Sequence, residues 1–153
     1  MNTAVALLGL LCTLVAGLGA TLLQGRAARM ERVHTRTEAD RAAQLDAVVA
    51  FTSAVADHLR AMWLREELRL KRADAGALAA AREQSHATRS ALTAPLTRVR
   101  VLVPSLSEVA TAAAQASYEL RNAPDASRLA ELRVSAVAAR ESLINAAGRV
   151  FAA

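Results

Sequence analysis

Residues 45–63, LDAVVAFTSAVADHLRAMW, decide the fold. Leu45, Val48, Val49, Thr52, Val55, Ala56, Leu59, Met62 and Trp63 recur three and four residues apart, while Asp46, Ser53, Asp57 and Arg60 take the other side. That is the period of a helix with one apolar stripe, since 3.6 residues complete a turn. A half-buried strand would alternate every second residue instead. The pattern runs on to Lys71 and Arg72, where cations complement the last free carbonyls, and Asp74 and Gly76 mark a turn.

Composition supports the same class. Only 3% of the 153 residues are aromatic, Gly and Pro number 6 and 3, and Ala, Leu and Arg dominate, all good helix formers. The length suits one compact domain with an appendage. The formal charge is +5 and all but one of the 19 basic residues are Arg. Arginine suits phosphate recognition, which raises nucleic acid or anionic lipid as partners. These arginines are interleaved with Glu and Asp along the helices, however, and a bias towards GC-rich codons produces both the Arg and the Ala excess. The single cysteine, Cys12, excludes an intramolecular disulfide.

Downstream, the spacing predicts a second helix from about Ala77 to about Val101, with Pro95 kinking or restarting it. The stretch from Arg98 to Val103 alternates like a strand, but no partner strand is visible, so it is read as helix. Pro104 breaks the chain. A third helix starts at Ser105-Leu106-Ser107-Glu108, which fits a capping box, and ends at Arg121-Asn122. Asp125 caps a fourth helix that runs to about Phe151. On it, Leu129, Leu132, Ala136, Ala139, Leu143, Ala146 and Val150 hold heptad spacing, and Val137, Ile144 and Phe151 add a second apolar line. A helix this broadly apolar is expected to be covered by several neighbours. Short loops make consecutive helices antiparallel.

Upstream, no charge occurs from Thr3 to Leu23, a run of roughly 30 Å as a helix, matching a bilayer core. Arg26, Arg29, Arg32, Arg36 and Arg41 follow it, so the C-terminal side is predicted to stay in the cytoplasm. The expected organisation is an all-α chain: a transmembrane anchor over 1–24, a basic helical stalk over 25–44 and an antiparallel helical bundle over 45–153. The expected location is the cell membrane, crossed once, N-terminus out. Cleavage and secretion is the competing fate, because Gly17 to Ala20 is rich in small residues. Gly9, Thr13, Gly17 and Thr21 form one small-residue face that would allow a weak homodimer. Arg26, Arg29, Arg32 and Arg36 would meet lipid headgroups.

No catalytic, cofactor-binding or metal-binding residues are predicted, and the chain is read as a non-enzyme. His34, His58 and His86 lack ligand spacing with a matching partner. The soluble part holds no glycine-rich phosphate loop, and Glu66 and Glu67, being adjacent, point to different faces of their helix. The densest mixture of charge and apolar bulk lies between residues 60 and 72. One reading makes Arg60, Arg65, Arg69, Lys71 and Arg72 a contact surface for a protein partner of unidentified kind. The other puts Met62 and Trp63 in the core, with long arginine stems covering apolar surface. Acids interrupt the cations and one aromatic stands nearby, so nucleic acid is disfavoured as a partner.

An uncharged start, a basic stalk, a helix carrying Phe51 and Trp63 with arginines around the Trp, and a closing bundle together resemble a family of small actinomycete membrane proteins. Some of these are labelled KilB, after a plasmid-transfer protein. The resemblance covers the whole chain in layout. It implies an accessory role at the membrane in spreading a conjugative element, with DNA contact left open, and it carries over no functional residue.

Overall fold

The computed structural model describes the backbone of residues 3–152 and the side chains of residues 35–152. Five α-helices follow one another: α1 (Thr3–Leu70), α2 (Ala75–Ala91), α3 (Thr93–Leu102), α4 (Ser107–Tyr118) and α5 (Ala126–Ala152), with one 3-10 turn at Pro104–Leu106. No strand occurs among the described residues, so the all-α class holds. The chain divides into two compact units, Met1–Ala42 and Ala43–Ala153.

The membrane reading is corrected. Among the described residues no helix is long and apolar enough to cross a membrane. In α1 from Thr35 onward the longest uncharged run lies between Asp46 and Asp57, and it is ten residues long. A span needs about 20. The single-pass, signal-anchor assignment and the cell-membrane location, N-terminus out, therefore fall. The side chains of the run from Thr3 to Leu23, the small face of Gly9, Thr13, Gly17 and Thr21, and Arg26, Arg29 and Arg32 lie outside the described residues. Arg36 is exposed.

The second unit is a bundle of four legs. Going up α1, Asp46 pairs with Arg98 of α3, His58 meets Thr88 of α2, and Arg65 reaches Ser85 of α2. The leg made of α2 and α3 therefore runs antiparallel to α1. Leg three returns: Leu106 and Ala110 share a cluster with Val48 and Phe51, whereas Leu120 and Ala123 share one with Leu59 and Met62. Leg four descends, with Leu129 and Ala136 beside Leu59 and Met62, and Leu143 and Ala147 beside Ala47 and Val48.

Each joint has a local cause. Beyond α1 the chain closes in a Schellman turn: Ala73 N–H donates to the Leu68 carbonyl at 3.0 Å and Arg72 N–H to Arg69 at 3.2 Å. Arg72 takes the left-handed conformation this needs, with φ 54°. Asp74 then caps α2, accepting from Ala77 N–H at 2.9 Å. The second predicted helix is two helices. The break falls at Leu92, almost fully buried, and Pro95 sits in the first turn of α3, where its missing N–H is no loss. The stretch from Arg98 to Leu102 is helical.

The capping box is also corrected. Ser107 N–H donates to the Pro104 carbonyl within the 3-10 turn, so Leu106 occupies the cap position of α4 and no side chain caps that helix. The third helix ends at Tyr118, earlier than expected, and Asn122 turns the chain with φ 61°. Asp125 does cap α5, accepting from Arg128 N–H at 2.8 Å.

The apolar stripe of α1 is rotated from its expected centre. Val48, Phe51, Val55, Leu59 and Met62 are buried, but Leu45 and Val49 are about half exposed, at 50% and 54%. On α5, Leu129, Ala136, Leu143 and Ala147 are buried, while Val137 and Ile144 are exposed. One face of α5 is covered, by α1, the 3-10 turn and α4 together, so several neighbours do bury the heptad line, while Val137 and Ile144 of the second apolar line stay partly in solvent.

Candidate functional site

The rotated stripe carries two ionisable residues into the bundle. His58 and Glu66 continue the spacing of Phe51, Val55, Leu59 and Met62, and both are almost fully buried, at 1% and 0% exposure. The sequence reading had treated His58 only as a poor metal ligand, and Glu66 only as half of a split pair. Their places on the stripe were the signal that would have found them.

Glu66 is tied down from two elements. Arg69 Nε donates to Oε2 at 2.6 Å, and Asn122 N–H donates to the same oxygen at 3.1 Å. Arg65 Nε stands 3.5 Å from Oε1, within ion-pair reach but making no hydrogen bond. Arg69 also donates to the Ala123 carbonyl. The carboxylate thus pins the end of α1 to the turn between α4 and α5. A buried carboxylate survives only when cations and N–H donors replace its water.

The segment between residues 60 and 72 consequently splits. Arg65 and Arg69 turn inward around Glu66, and Lys71 pairs with Glu67 at 2.7 Å. The Glu67 carboxyl is held below its usual range, chiefly by the hydrogen bond from Lys71. Arg60 stays on the surface, 4.0 Å from Asp57, and Arg72 forms the turn. Met62 is core, and Trp63 is partly buried against it, with the Arg133 guanidinium 4.4 Å from the centre of its ring.

Beside this knot lies a cleft between α1, α2 and the end of α4. His58, Met62 and Tyr118 line it, with the two aromatic rings packed edge to face at 5.4 Å. Arg65, Arg89 and Arg121 bring three guanidinium groups to it, and Ser85 and His86 complete it. Arg65 Nη1 donates to Ser85 Oγ at 3.4 Å, and Arg89 lies over the Tyr118 ring at 4.7 Å. Neither Arg89 nor Arg121 pairs with a carboxylate among the described residues. Burial, with the charges of Arg89 and Arg65, lowers the pKa of His58 from 6.5 to about 4, so the ring is neutral at pH 7.

Among the described residues, no group of three His, Cys, Asp or Glu side chains is placed to hold a metal ion. A model of the KilB plasmid transfer protein family matches residues 45–151. The chain belongs to the KilB family. Protein KilB of Streptomyces lividans is 51% identical over 154 residues, an alignment that covers 100% of this chain and 99% of that one. The resemblance read from the layout of anchor, stalk and bundle is thereby borne out. No solved structure matches the chain. The KilB match contains both His58 and Glu66, and the whole cleft falls inside it.

Proposed function

We propose that the chain is a non-enzymatic accessory protein of plasmid transfer that works by binding a protein partner with its helical bundle. The observation that carries this reading is the extent of the family match, residues 45–151, which coincides with the four-legged bundle. Two features of the bundle support a binding role. Its one fully buried carboxylate, Glu66, is consumed by arginines that hold helices together. On α5, Val134 is 69% exposed, and Val137 and Ile144 keep 38% and 39% of their surface in solvent. Scattered single residues of this kind are ordinary, but three at helical spacing on one helix make a line that a partner helix fits. Nucleic acid is not the proposed partner of that line, which carries no cation among its three apolar members.

The test is genetic and direct. Disrupting the gene in a strain carrying the conjugative plasmid should lower plasmid transfer, and the wild-type chain should restore it. Val134→Asp with Ile144→Asp, both exposed and therefore tolerated by the fold, should leave the helical circular-dichroism signal intact yet fail to restore transfer. Unchanged transfer after disruption would overturn the role in transfer. Full restoration by the double variant would overturn the α5 contact.

A further inference from the structure

Three buried side-chain atoms lack a hydrogen-bond partner among the described residues: Glu66 Oε1, which has Arg65 Nε at 3.5 Å, Arg140 Nε, and Nε2 of His58, a residue that lines the cleft. His58 Nδ1 lies 3.0 Å from Thr88 Oγ1. The Thr88 hydroxyl directs its own proton to the Gln84 carbonyl at 3.0 Å, with the Ser85 carbonyl at 3.2 Å. The hydroxyl is therefore the acceptor and Nδ1 the donor, which leaves Nε2 with a bare lone pair. Nε2 is inaccessible to bulk solvent and has no partner. A buried nitrogen in that condition costs about 1–3 kcal/mol until something donates to it.

The surroundings say what should. On α1, Arg65 lies on the same side as the ring and is itself ion-paired to Glu66; α2 presents His86 and Arg89; α4 presents Tyr118, and Arg121 follows it. Arg89 and Arg121 are cations without a carboxylate among the described residues. A ligand that satisfies all of these groups must be anionic towards the guanidiniums and must also offer one proton to Nε2. A carboxylate or a sulfate is fully deprotonated at neutral pH and offers none. A phosphodiester has no P–OH either, and its strand continues on both sides of the phosphate. A terminal phosphate monoester has the charge and the oxygens that arginine forks prefer, and its second ionisation near pH 6 keeps a P–OH on a minor fraction at neutral pH and on a growing one as pH falls.

We propose that this cleft binds a phosphate monoester, clamped by Arg65, Arg89 and Arg121, and that the exposed Arg89 and Arg121 side chains shift on binding so that one phosphate oxygen reaches the otherwise covered His58 Nε2 and shares a proton with it. In the filled site the phosphate cancels the guanidinium charges that oppose protonation of the ring, so binding takes up a proton and strengthens as pH falls from 8 to 6. Free phosphate and the terminal phosphate of a nucleotide share this chemistry, and a larger ligand would extend past Arg121 into solvent. The site stands on its own geometry and does not depend on the role in transfer.

The experiment uses the full-length chain and follows the imidazole signals of His58 by NMR during titration with inorganic phosphate, sulfate, a nucleoside monophosphate and a short single-stranded oligonucleotide without a terminal phosphate, all at constant ionic strength. The expected result is a saturable shift with phosphate and the monophosphate, weaker binding of sulfate, and an affinity for phosphate that rises on acidification. Arg89→Gln with Arg121→Gln, both at exposed positions, should reduce phosphate affinity by about tenfold or more while leaving thermal unfolding without phosphate unchanged. His58→Gln should reduce the pH dependence to that set by the ionisation of phosphate itself, and keep residual binding. Tighter binding of the nucleoside monophosphate than of phosphate would identify the nucleotide as the better ligand. No saturable shift, sulfate binding equal to phosphate, loss of nothing in the double arginine variant, or preference for the oligonucleotide would each overturn the proposal.

Discussion

His58 and Glu66 stand eight positions apart on one stripe of α1, and arginine does opposite things to them. Around Glu66 the guanidiniums of Arg69 and Arg65 meet an opposite charge, and the buried carboxylate becomes a cross-link to Asn122. Around His58 the guanidiniums of Arg89 and Arg65 oppose a like charge, and the ring stays neutral with one nitrogen unpaired. Arg65 belongs to both. The comparison teaches that the arginine excess, which the composition alone left ambiguous between codon bias and anion binding, holds both outcomes in one bundle. Arg69, which finds a carboxylate, is structural; Arg89 and Arg121, which find none among the described residues, line the cleft.

Removing the acid at the first site breaks the comparison hardest. Glu66→Ala strands two guanidiniums and the Asn122 N–H, and it should cost about 3–5 kcal/mol in chemical denaturation. The lower end is expected, because the Arg69 side chain is 33% exposed and can reach water. A loss below about 1 kcal/mol would show that the knot does not cross-link the bundle.

Acid acts on the second site. His58 binds its proton with a pKa of about 4 when folded against 6.5 when unfolded, so between those values the unfolded chain holds more protons. Stability is full above pH 6.5, falls as pH drops through the window, and levels off below 4, for a total on the order of 3 kcal/mol. In His58→Gln this part of the pH dependence should vanish, as read from urea midpoints at pH 7 and 4.5. An unchanged slope would assign the acid loss to other groups.

Exposed carboxylates sharpen the contrast with Glu66. Asp125 caps α5 through Arg128 N–H, and Asp125→Ala should cost about 1 kcal/mol. Asp46 makes a solvent-exposed pair with Arg98 at 3.0 Å, and Arg98→Ala should change stability by less than about 1 kcal/mol. If these three acids do not rank as Glu66, Asp125 and Asp46, burial is not what sets their worth.

Much of the fold was legible because it rests on local signals. The three- and four-residue spacing around Phe51 and Val55, the turn at Asp74 and the cap at Asp125 need no knowledge of neighbours. The phase of each stripe is a tertiary matter. Leu45 and Val49 read as core by hydropathy, yet only the residues facing α3 to α5 are covered, and the covered line continues into His58 and Glu66. The same holds for Ser105 and Glu108, whose capping pattern is overridden by the turn that Pro104 starts. The membrane reading rests on the uncharged run and the arginines that follow it, and among the described residues no helix is long and apolar enough to cross a membrane. The cleft was invisible in sequence because His58, Arg89 and Arg121 are far apart in the chain and meet only when the legs pack.

The most direct test is the titration of His58 itself, by NMR of the imidazole carbons in the full-length chain without phosphate. The account predicts a neutral ring protonated on Nδ1 at pH 7 and a midpoint near pH 4, moving towards 6.5 in Arg89→Gln. A midpoint at or above 6.5 in the wild-type chain would contradict it, because a buried ring facing two guanidiniums could not hold its proton there.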